Sequence, residues 1–172
     1  MTRISKLATR ASHEMIIAID KAMIDAKSAD ARDNERLREI HCFHANDDEP
    51  LHRMINTIQP GSYIRPHRHI DPPKAESLVI LRGAIAVVPF HNDGSIDEAN
   101  IVVMRAGTDV LGVDMRAGLW HTLVALEPDS TVFEVKPGPY AVSSDKDFAP
   151  WAPPESTPEA RSFLNHLEGL FQ

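Results

Sequence analysis

The segment Gly61-Ser62-Tyr63-Ile64-Arg65-Pro66-His67-Arg68-His69-Ile70-Asp71-Pro72-Pro73-Lys74-Ala75-Glu76 decides both the fold and the chemistry predicted for this chain. Side chains of an extended segment alternate between two faces, so His67 and His69 point the same way. Glu76 follows the Asp-Pro-Pro-Lys turn and opens the apolar run 77–81. If the two segments pair in one sheet, the Glu76 carboxylate lies beside both imidazoles.

A further histidine, His121 in Gly118-Leu119-Trp120-His121, completes a candidate metal site with His67, His69 and Glu76. Three neutral imidazoles and one carboxylate suit zinc, iron, nickel, manganese or copper. We therefore predict one divalent transition metal (Zn, Fe, Ni or Mn), with its identity open. The alternative is that His67 and His69 are surface residues on an arginine-rich turn.

These residues resemble the two motifs of the cupin superfamily. The first motif matches Gly61-x5-His67-x-His69-x6-Glu76-x6-Gly83, with a longer gap before Glu76 than the usual three or four residues. The second matches residues 116–121, with Arg116 at the usual proline and Ala125 at the usual asparagine. All four ligand positions are nevertheless occupied by the expected residue types.

A more specific resemblance is to the WbuC-like cupin metalloproteins. It is carried by QPGSYIRPHRH (59–69), GLWHTLVALEPDSTVFEVKPGPY (118–140) and DKDFAPWAP (145–153), within a similarity that covers roughly residues 35–155. This resemblance implies a cupin β-barrel, a metal on the four residues named above, and an association with surface-polysaccharide (O-antigen or lipopolysaccharide) biosynthesis. It implies no settled reaction.

The chain order predicts a mostly β, single-domain antiparallel barrel or jelly roll with one helix at each end. Short strands separated by turn residues are expected at 37–43, 51–58, 62–69, 77–81, 84–90, 101–104, 108–113, 121–126 and 131–135. A helix is expected over 9–28 with Ser12 as N-cap and Glu14 in the first turn, and Thr157-Pro158-Glu159 predicts the start of another. The predicted regions are 1–34 (helix and connector), 35–136 (barrel) and 137–172 (proline-rich arm and closing helix). Phe148 and Trp151 are expected to anchor the arm on the barrel.

Strand alternation also predicts the lining of a pocket around the metal. Tyr63 and Arg65 share the parity of His67 and His69, which makes them candidate catalytic or orienting residues. For Tyr63 the alternative is a core aromatic, and for Arg65 it is a salt bridge to a barrel acid. The same parity predicts further inward-facing side chains at Leu78, Ile80, Arg82, Leu119 and Leu123.

A second group of potential ligands, His41, Cys42 and His44, lies on the expected first barrel strand. Cys42 and His44 share one face and His41 lies on the other, so the three do not converge easily. We interpret them as residues of an edge strand with partly exposed histidines, although their role stays open.

The amino-acid composition limits the classes of binding partner and the cellular compartment that we expect. The net charge of −7 argues against nucleic-acid or anionic-membrane partners. The single cysteine and the absence of a long apolar run near the start indicate a cytoplasmic protein. Apolar surface on both terminal helices predicts a homodimer.

Two functions from different classes fit the sequence. The first is a metalloenzyme acting on a small polar metabolite, such as a sugar or sugar-nucleotide derivative, as an isomerase, an epimerase or an oxygenase. The alternative is a non-catalytic metal-dependent module that binds a carbohydrate or an organic acid. An anionic or polyhydroxylated ligand held by Arg65 and Tyr63 is expected in either case.

Overall fold

The computed structural model describes residues 1–12, 15–141 and 145–172. The first strands and the first helix are β1 (Thr2–Ser5), β2 (Ala8–Arg10), α1 (Lys21–Asp33), β3 (Arg38–Cys42), β4 (Leu51–Ile58), β5 (His67–Arg68) and β6 (Glu76–Arg82). They are followed by β7 (Ala84–Phe90), a 3-10 helix (Glu98–Asn100), β8 (Val102–Arg105), β9 (Gly112–Met115), β10 (Trp120–Ala125), β11 (Ser130–Pro137), β12 (Asp147–Phe148) and α2 (Pro158–Gly169).

Two sheets face each other across the core. Their strand orders are β1-β2-β3-β4-β11-β6-β9 and β12-β5-β10-β7-β8. The eight consecutive strands from β4 to β11 divide as β4-β11-β6-β9 and β5-β10-β7-β8, which is the strand order of a double Greek-key jelly roll. Strand pairs are antiparallel except β2 with β3, which is parallel. The predicted mostly β jelly-roll fold is confirmed.

One half of the barrel interior is purely apolar. Its members are buried aliphatic and sulfur-containing side chains from both sheets: Ile58, Leu78, Ile80, Ile85, Val87, Met104, Met115, Leu123, Ala125 and Val132. Leu119 packs against this cluster, so the inward orientation predicted for Leu78, Ile80, Leu119 and Leu123 is confirmed. Burial of this many apolar side chains is the main driving force for closing the barrel.

The inward orientation predicted for Arg82 is wrong. The ladder between β6 and β11 shifts register where Thr131 pairs with Arg82 and Val132 with Ile80. A bulge of this kind redirects the following side chain. The Arg82 guanidinium therefore leaves the core and donates to Asp25 of α1 at 2.7 Å.

The N-terminal helix is shorter than predicted and begins later. Asp20, not Ser12, is its N-cap, since the Asp20 side chain accepts from the Met23 backbone N–H at 2.9 Å. Residues before it form β1 and β2 instead, because β2 hydrogen-bonds in parallel along β3. Glu14 lies outside the described residues. The helix packs on β3 and β4 with Ile24 and Ala31 buried, so it covers its own barrel.

The C-terminal helix begins where the sequence predicts. Thr157 is its N-cap and Pro158 occupies the first turn. Leu164 and Leu167 are buried, and Trp151 of the preceding arm packs against Phe90 with ring centroids 5.0 Å apart. The other expected anchor, Phe148, pairs with His67 of β5 and so attaches the arm to the barrel, although its side chain is 45% exposed.

Neither α-helix in the described parts of the chain is long and apolar enough to cross a membrane.

Candidate metal centre

Three histidines converge where β5 pairs with β10. His67 of β5 lies directly across from His121 of β10, and His69 is the residue that follows the end of β5. One ring nitrogen of each histidine lies within 4.8 Å of those of the other two, and all three side chains are buried. The sequence prediction that His67, His69 and His121 come together is therefore correct in its geometry.

The Nδ1 atoms of these three imidazoles are held by backbone carbonyls. His67 Nδ1 lies 3.0 Å from the Arg65 oxygen, and His121 Nδ1 lies 2.9 Å from the Leu119 oxygen. His69 Nδ1 makes the same kind of contact with the Asp145 oxygen. A carbonyl only accepts, so each Nδ1 carries the proton and each neutral ring has its lone pair on Nε2. This is how proteins commonly orient histidines that bind metals.

Glu76, the first residue of β6, lies beside two of these three histidines. Its Oε1 lies 3.1 Å from His69 Nε2, and its Oε2 lies 3.1 Å from His121 Nε2. The buried His69 Nε2 has no hydrogen-bond partner. Lone pairs on both nitrogens would face carboxylate lone pairs and repel them, unless a cation lies between. The donor set therefore fits a transition metal.

The charge states of this site also suit a metal. Burial, with the nearby charge of Lys146, holds the pKa of His67 well below its usual range, so this imidazole is neutral. Burial opposes ionisation of Glu76, but the nearby ammonium of Lys136 favours the ionised carboxylate. A neutral imidazole and an ionised carboxylate are the ligand forms that metals bind.

A buried ionic network surrounds Glu76 and was not recognised in the sequence. Lys136 Nζ lies 3.7 Å from Glu76, 3.7 Å from Glu134 and 3.2 Å from Asp145. Lys74 Nζ donates to the other Asp145 oxygen at 2.9 Å. Burial lowers the pKa of Lys136, but the three carboxylates outweigh it and raise that pKa above its usual range. The sequence feature that could have revealed this network is the alternation along β11, which places Glu134 and Lys136 on the same face as the core residue Val132.

The side chains of Tyr63 and Arg65 do not join this site by any described contact, although the Arg65 backbone oxygen holds His67. The Tyr63 hydroxyl donates to the Pro153 oxygen at 2.9 Å, and its ring packs on Phe163. Arg65 donates through Nε to Ala152 at 3.1 Å and through Nη2 to Ala149 at 2.9 Å. Only residues 67–68 are strand here, so the parity argument over 62–66 does not hold.

Arg65 instead borders a groove of about 800 Å³ along the C-terminal arm, together with Trp151, Pro154, Phe163 and His166. The predicted salt bridge from Arg65 to a barrel acid is also replaced by these carbonyl contacts. The side chains of Tyr63 and Arg65 therefore hold the arm against the barrel.

The second histidine group is buried rather than partly exposed as predicted. We use the name β3 histidine group for His41 of β3, His44 just after β3 and His52 of the neighbouring β4. His41 is 1% exposed and His44 3% exposed, because β2 covers the edge of β3. His41 Nδ1 contacts Thr9 Oγ1 at 2.8 Å, and His44 stacks on His52 at 4.0 Å. The free thiol of Cys42 is buried as well.

Comparison with known proteins gives a fold likeness. A family model described as a domain of unknown function (DUF6016) matches residues 19–102, just under half of the chain. No protein with a curated description matches the sequence.

Among solved structures, KdgF from Halomonas sp. is 20% identical, with a TM-score of 0.45 over 62% of this chain and 82% of that one. The oxalate decarboxylase of Lactobacillus farciminis, in a formate complex, is 20% identical with a TM-score of 0.45 over 59% of this chain. A variant of the Bacillus subtilis oxalate decarboxylase is 22% identical with a TM-score of 0.45 over 58% of this chain. The match spans only 28% and 24% of the two decarboxylases. These values are too low to transfer a reaction, so function is argued from the site itself.

Proposed function

We propose that this protein binds one divalent transition metal through His67, His69, His121 and Glu76, and that the metal acts on a small anionic or polyhydroxylated metabolite. The observation that carries this proposal is the orientation of the donors. All three Nδ1 atoms are bound to carbonyls, and the buried Nε2 of His69 has no partner other than the position a cation would occupy.

The charge balance supports an anionic or oxygen-rich partner. Three neutral imidazoles and one carboxylate leave a divalent metal with a net charge of about +1. The neighbouring ammonium of Lys136 lies nearer to Asp145, at 3.2 Å, than to Glu76, at 3.7 Å, so Asp145 holds it partly away from the metal's ligand. A carboxylate, enolate or sugar hydroxyl would neutralise the remaining charge best.

When bound, the metal would polarise a carbonyl or hydroxyl of the substrate as a Lewis acid. The chain's own part is to hold the ligands in a dry pocket and to keep Glu76 ionised. The exposed ring of Phe148 lies 6.2 Å from the His67 ring, so His67 is on the side nearest to solvent. A metabolite would approach from there. A sugar or sugar-nucleotide derivative is the substrate class that the sequence resemblance favours.

Metal identity separates the enzyme from the binding module. Four protein ligands complete the tetrahedral shell of zinc and leave no position for a substrate, as in structural sites. The same four ligands leave two positions on a six-coordinate manganese, iron or nickel. A site that selects one of these three would support the enzyme, whereas a closed zinc site would support a non-catalytic role.

The test is metal analysis of protein purified without a metal-affinity column, followed by titration of the metal-free form with Mn²⁺, Fe²⁺, Ni²⁺ and Zn²⁺. We expect about one metal per chain, and affinity in Glu76→Gln reduced because the ionised ligand is lost. His91→Gln is the matched control, since His91 is exposed and lies outside the cluster. Wild-type protein that binds none of the four ions would disprove the proposal.

A further inference from the structure

We call His67, His69, His121 and Glu76 the metal cluster. One residue of the C-terminal arm contacts both this cluster and the ionic network beside it. Asp145 is 3% exposed. Its backbone oxygen accepts from His69 Nδ1, while its carboxylate accepts from Lys74 at 2.9 Å and from Lys136 at 3.2 Å. Asp145 thus joins a metal-facing imidazole to two buried ammonium groups.

These contacts form a closed circuit. From Asp145 the path runs through Lys136 to Glu76 Oε1 at 3.7 Å, and from the same oxygen to His69 Nε2 at 3.1 Å. His69 then returns to Asp145 through its Nδ1. Asp145 thus contacts His69 directly and Glu76 through Lys136, although it is not itself a metal-facing donor.

We propose that the Asp145 carboxylate is a positioning group of the metal site, which orients Glu76 through Lys136, beside the contact that the Asp145 backbone oxygen makes with His69. The inference rests on the proposed function, because it concerns the geometry of the metal ligands. It assigns to the arm, which the sequence marks only as a proline-rich covering segment, a direct part in metal affinity.

The physical reason is the cost of burying unpaired charge. Lys74 and Lys136 are 3% and 6% exposed, and the Asp145 carboxylate is shared between them. Without that carboxylate, the contact that Lys74 keeps among the described residues is with the Pro139 oxygen at 2.5 Å. Lys136 keeps Glu134 and Glu76, and would move closer to Glu76. An ammonium drawn to Glu76 competes with the metal for the same oxygen.

The experiment compares Asp145→Asn with Asp147→Asn. Asparagine preserves the side-chain size and the backbone carbonyl, but it removes the charge. Asp147 lies on the same arm and pairs with Arg68 at 2.7 Å, but its side chain is 43% exposed and touches neither buried lysine in any described contact. Metal-free proteins are titrated with Co²⁺ against a competing chelator, and the visible absorption of bound Co²⁺ reports the ligand geometry.

We expect Asp145→Asn to bind Co²⁺ about 10–100-fold more weakly than wild type and with an altered spectrum, as is usual when a group that orients a ligand is lost. Asp147→Asn should match wild type in both respects. An unchanged affinity and spectrum in Asp145→Asn would overturn the inference even if its melting temperature fell, because the carboxylate would then serve folding alone.

Lys74→Met keeps the test decisive if Asp145→Asn fails to fold. It removes one cation from Asp145 and leaves the His69 contact in place, so we expect a smaller but measurable loss of Co²⁺ affinity and a shifted spectrum. Unchanged binding in that variant would overturn the inference. Wild-type protein that binds no Co²⁺ would overturn it together with the proposed function, whereas normal wild-type and variant binding would refute the role of Asp145 alone.

Discussion

The metal cluster and the β3 histidine group are both buried, and they differ in where their ring nitrogens point. In the metal cluster every Nδ1 meets a backbone carbonyl, and the Nε2 atoms face one another and Glu76. In the β3 histidine group the rings contact Thr9, Arg53 and Asp47 separately, and two of them stack. Burial alone therefore does not make a histidine a metal ligand, whereas convergence of free lone pairs does.

Their electrostatic settings differ in the same way. The metal cluster has an ionised carboxylate 3.1 Å from two of its rings. In the β3 histidine group, burial and the charge of Lys27 lower the pKa of His41 to about 4. A site that must accept a cation needs negative charge at its centre. A group that only fills a sheet face needs to stay neutral.

The largest expected difference between the two groups is in metal affinity. His69→Ala and His121→Ala should each lose more than about 100-fold in affinity, which exceeds the usual effect of losing an orienting group. His52→Ala should bind metal within about twofold of wild type but unfold more easily, by about 0.5–3 kcal/mol.

Chelator competition and urea unfolding on the same three variants measure both quantities. If His52→Ala lost metal as severely as His69→Ala, the division into two groups would be wrong.

A second expected difference is in the pH dependence of stability. The pKa of His41 is about 4 when folded, below its value of 6.5 in the unfolded chain. The unfolded state thus binds the extra proton between these values. The stabilising contribution is fully present above about pH 6.5 and is lost as pH falls towards about 4, by up to about 3 kcal/mol.

The measurement is urea unfolding of metal-free protein at several pH values across this window. In His41→Leu the fall in stability towards low pH should be smaller than in wild type, because one group that protonates on unfolding is gone. His91→Leu is the control, since His91 is exposed and should leave the slope unchanged. A His41→Leu slope equal to that of wild type would mean that His41 is already charged in the fold.

The sequence was sufficient for the fold because the strands carry their own signals. Turn residues separate short apolar segments, and the alternation along β6 places Leu78 and Ile80 inside without any knowledge of the partner strand. The shared orientation of His67 and His69 follows from the same alternation. Such features are local, and local patterns survive in a single sequence.

What the sequence could not supply are contacts made across long distances in the chain. Asp145 meets His69 from 76 residues away, and Asn56 meets Glu134 from 78. Strand β2 depends on β3 for its hydrogen bonds, so the helical spacing that begins at residue 9 was misleading. A bulge at Arg82 and an irregular segment before His67 each broke a parity argument, because a shift of one residue exchanges the two faces of a strand.

The smallest expected effect concerns Arg65, which lies two residues from His67 but contacts the arm rather than the metal cluster. Its guanidinium donates to two arm carbonyls, of Ala149 and Ala152, and lies 5.3 Å from the Phe148 ring centre. Arg65→Ala should lower the free energy of unfolding by about 1–3 kcal/mol, the scale of hydrogen bonds to charged groups, and change metal affinity less than about twofold.

Arg65→Lys is the matched variant, since it keeps the charge but cannot donate in two fixed directions at once. Its stability should fall between wild type and Arg65→Ala. Urea unfolding and chelator competition measure the two effects, and protease cleavage of the arm should follow the stability order. If Arg65→Ala instead lost metal affinity while keeping its stability, the Arg65 side chain would belong to the metal site with His67. Our assignment of Arg65 to the residues that hold the arm would then be wrong.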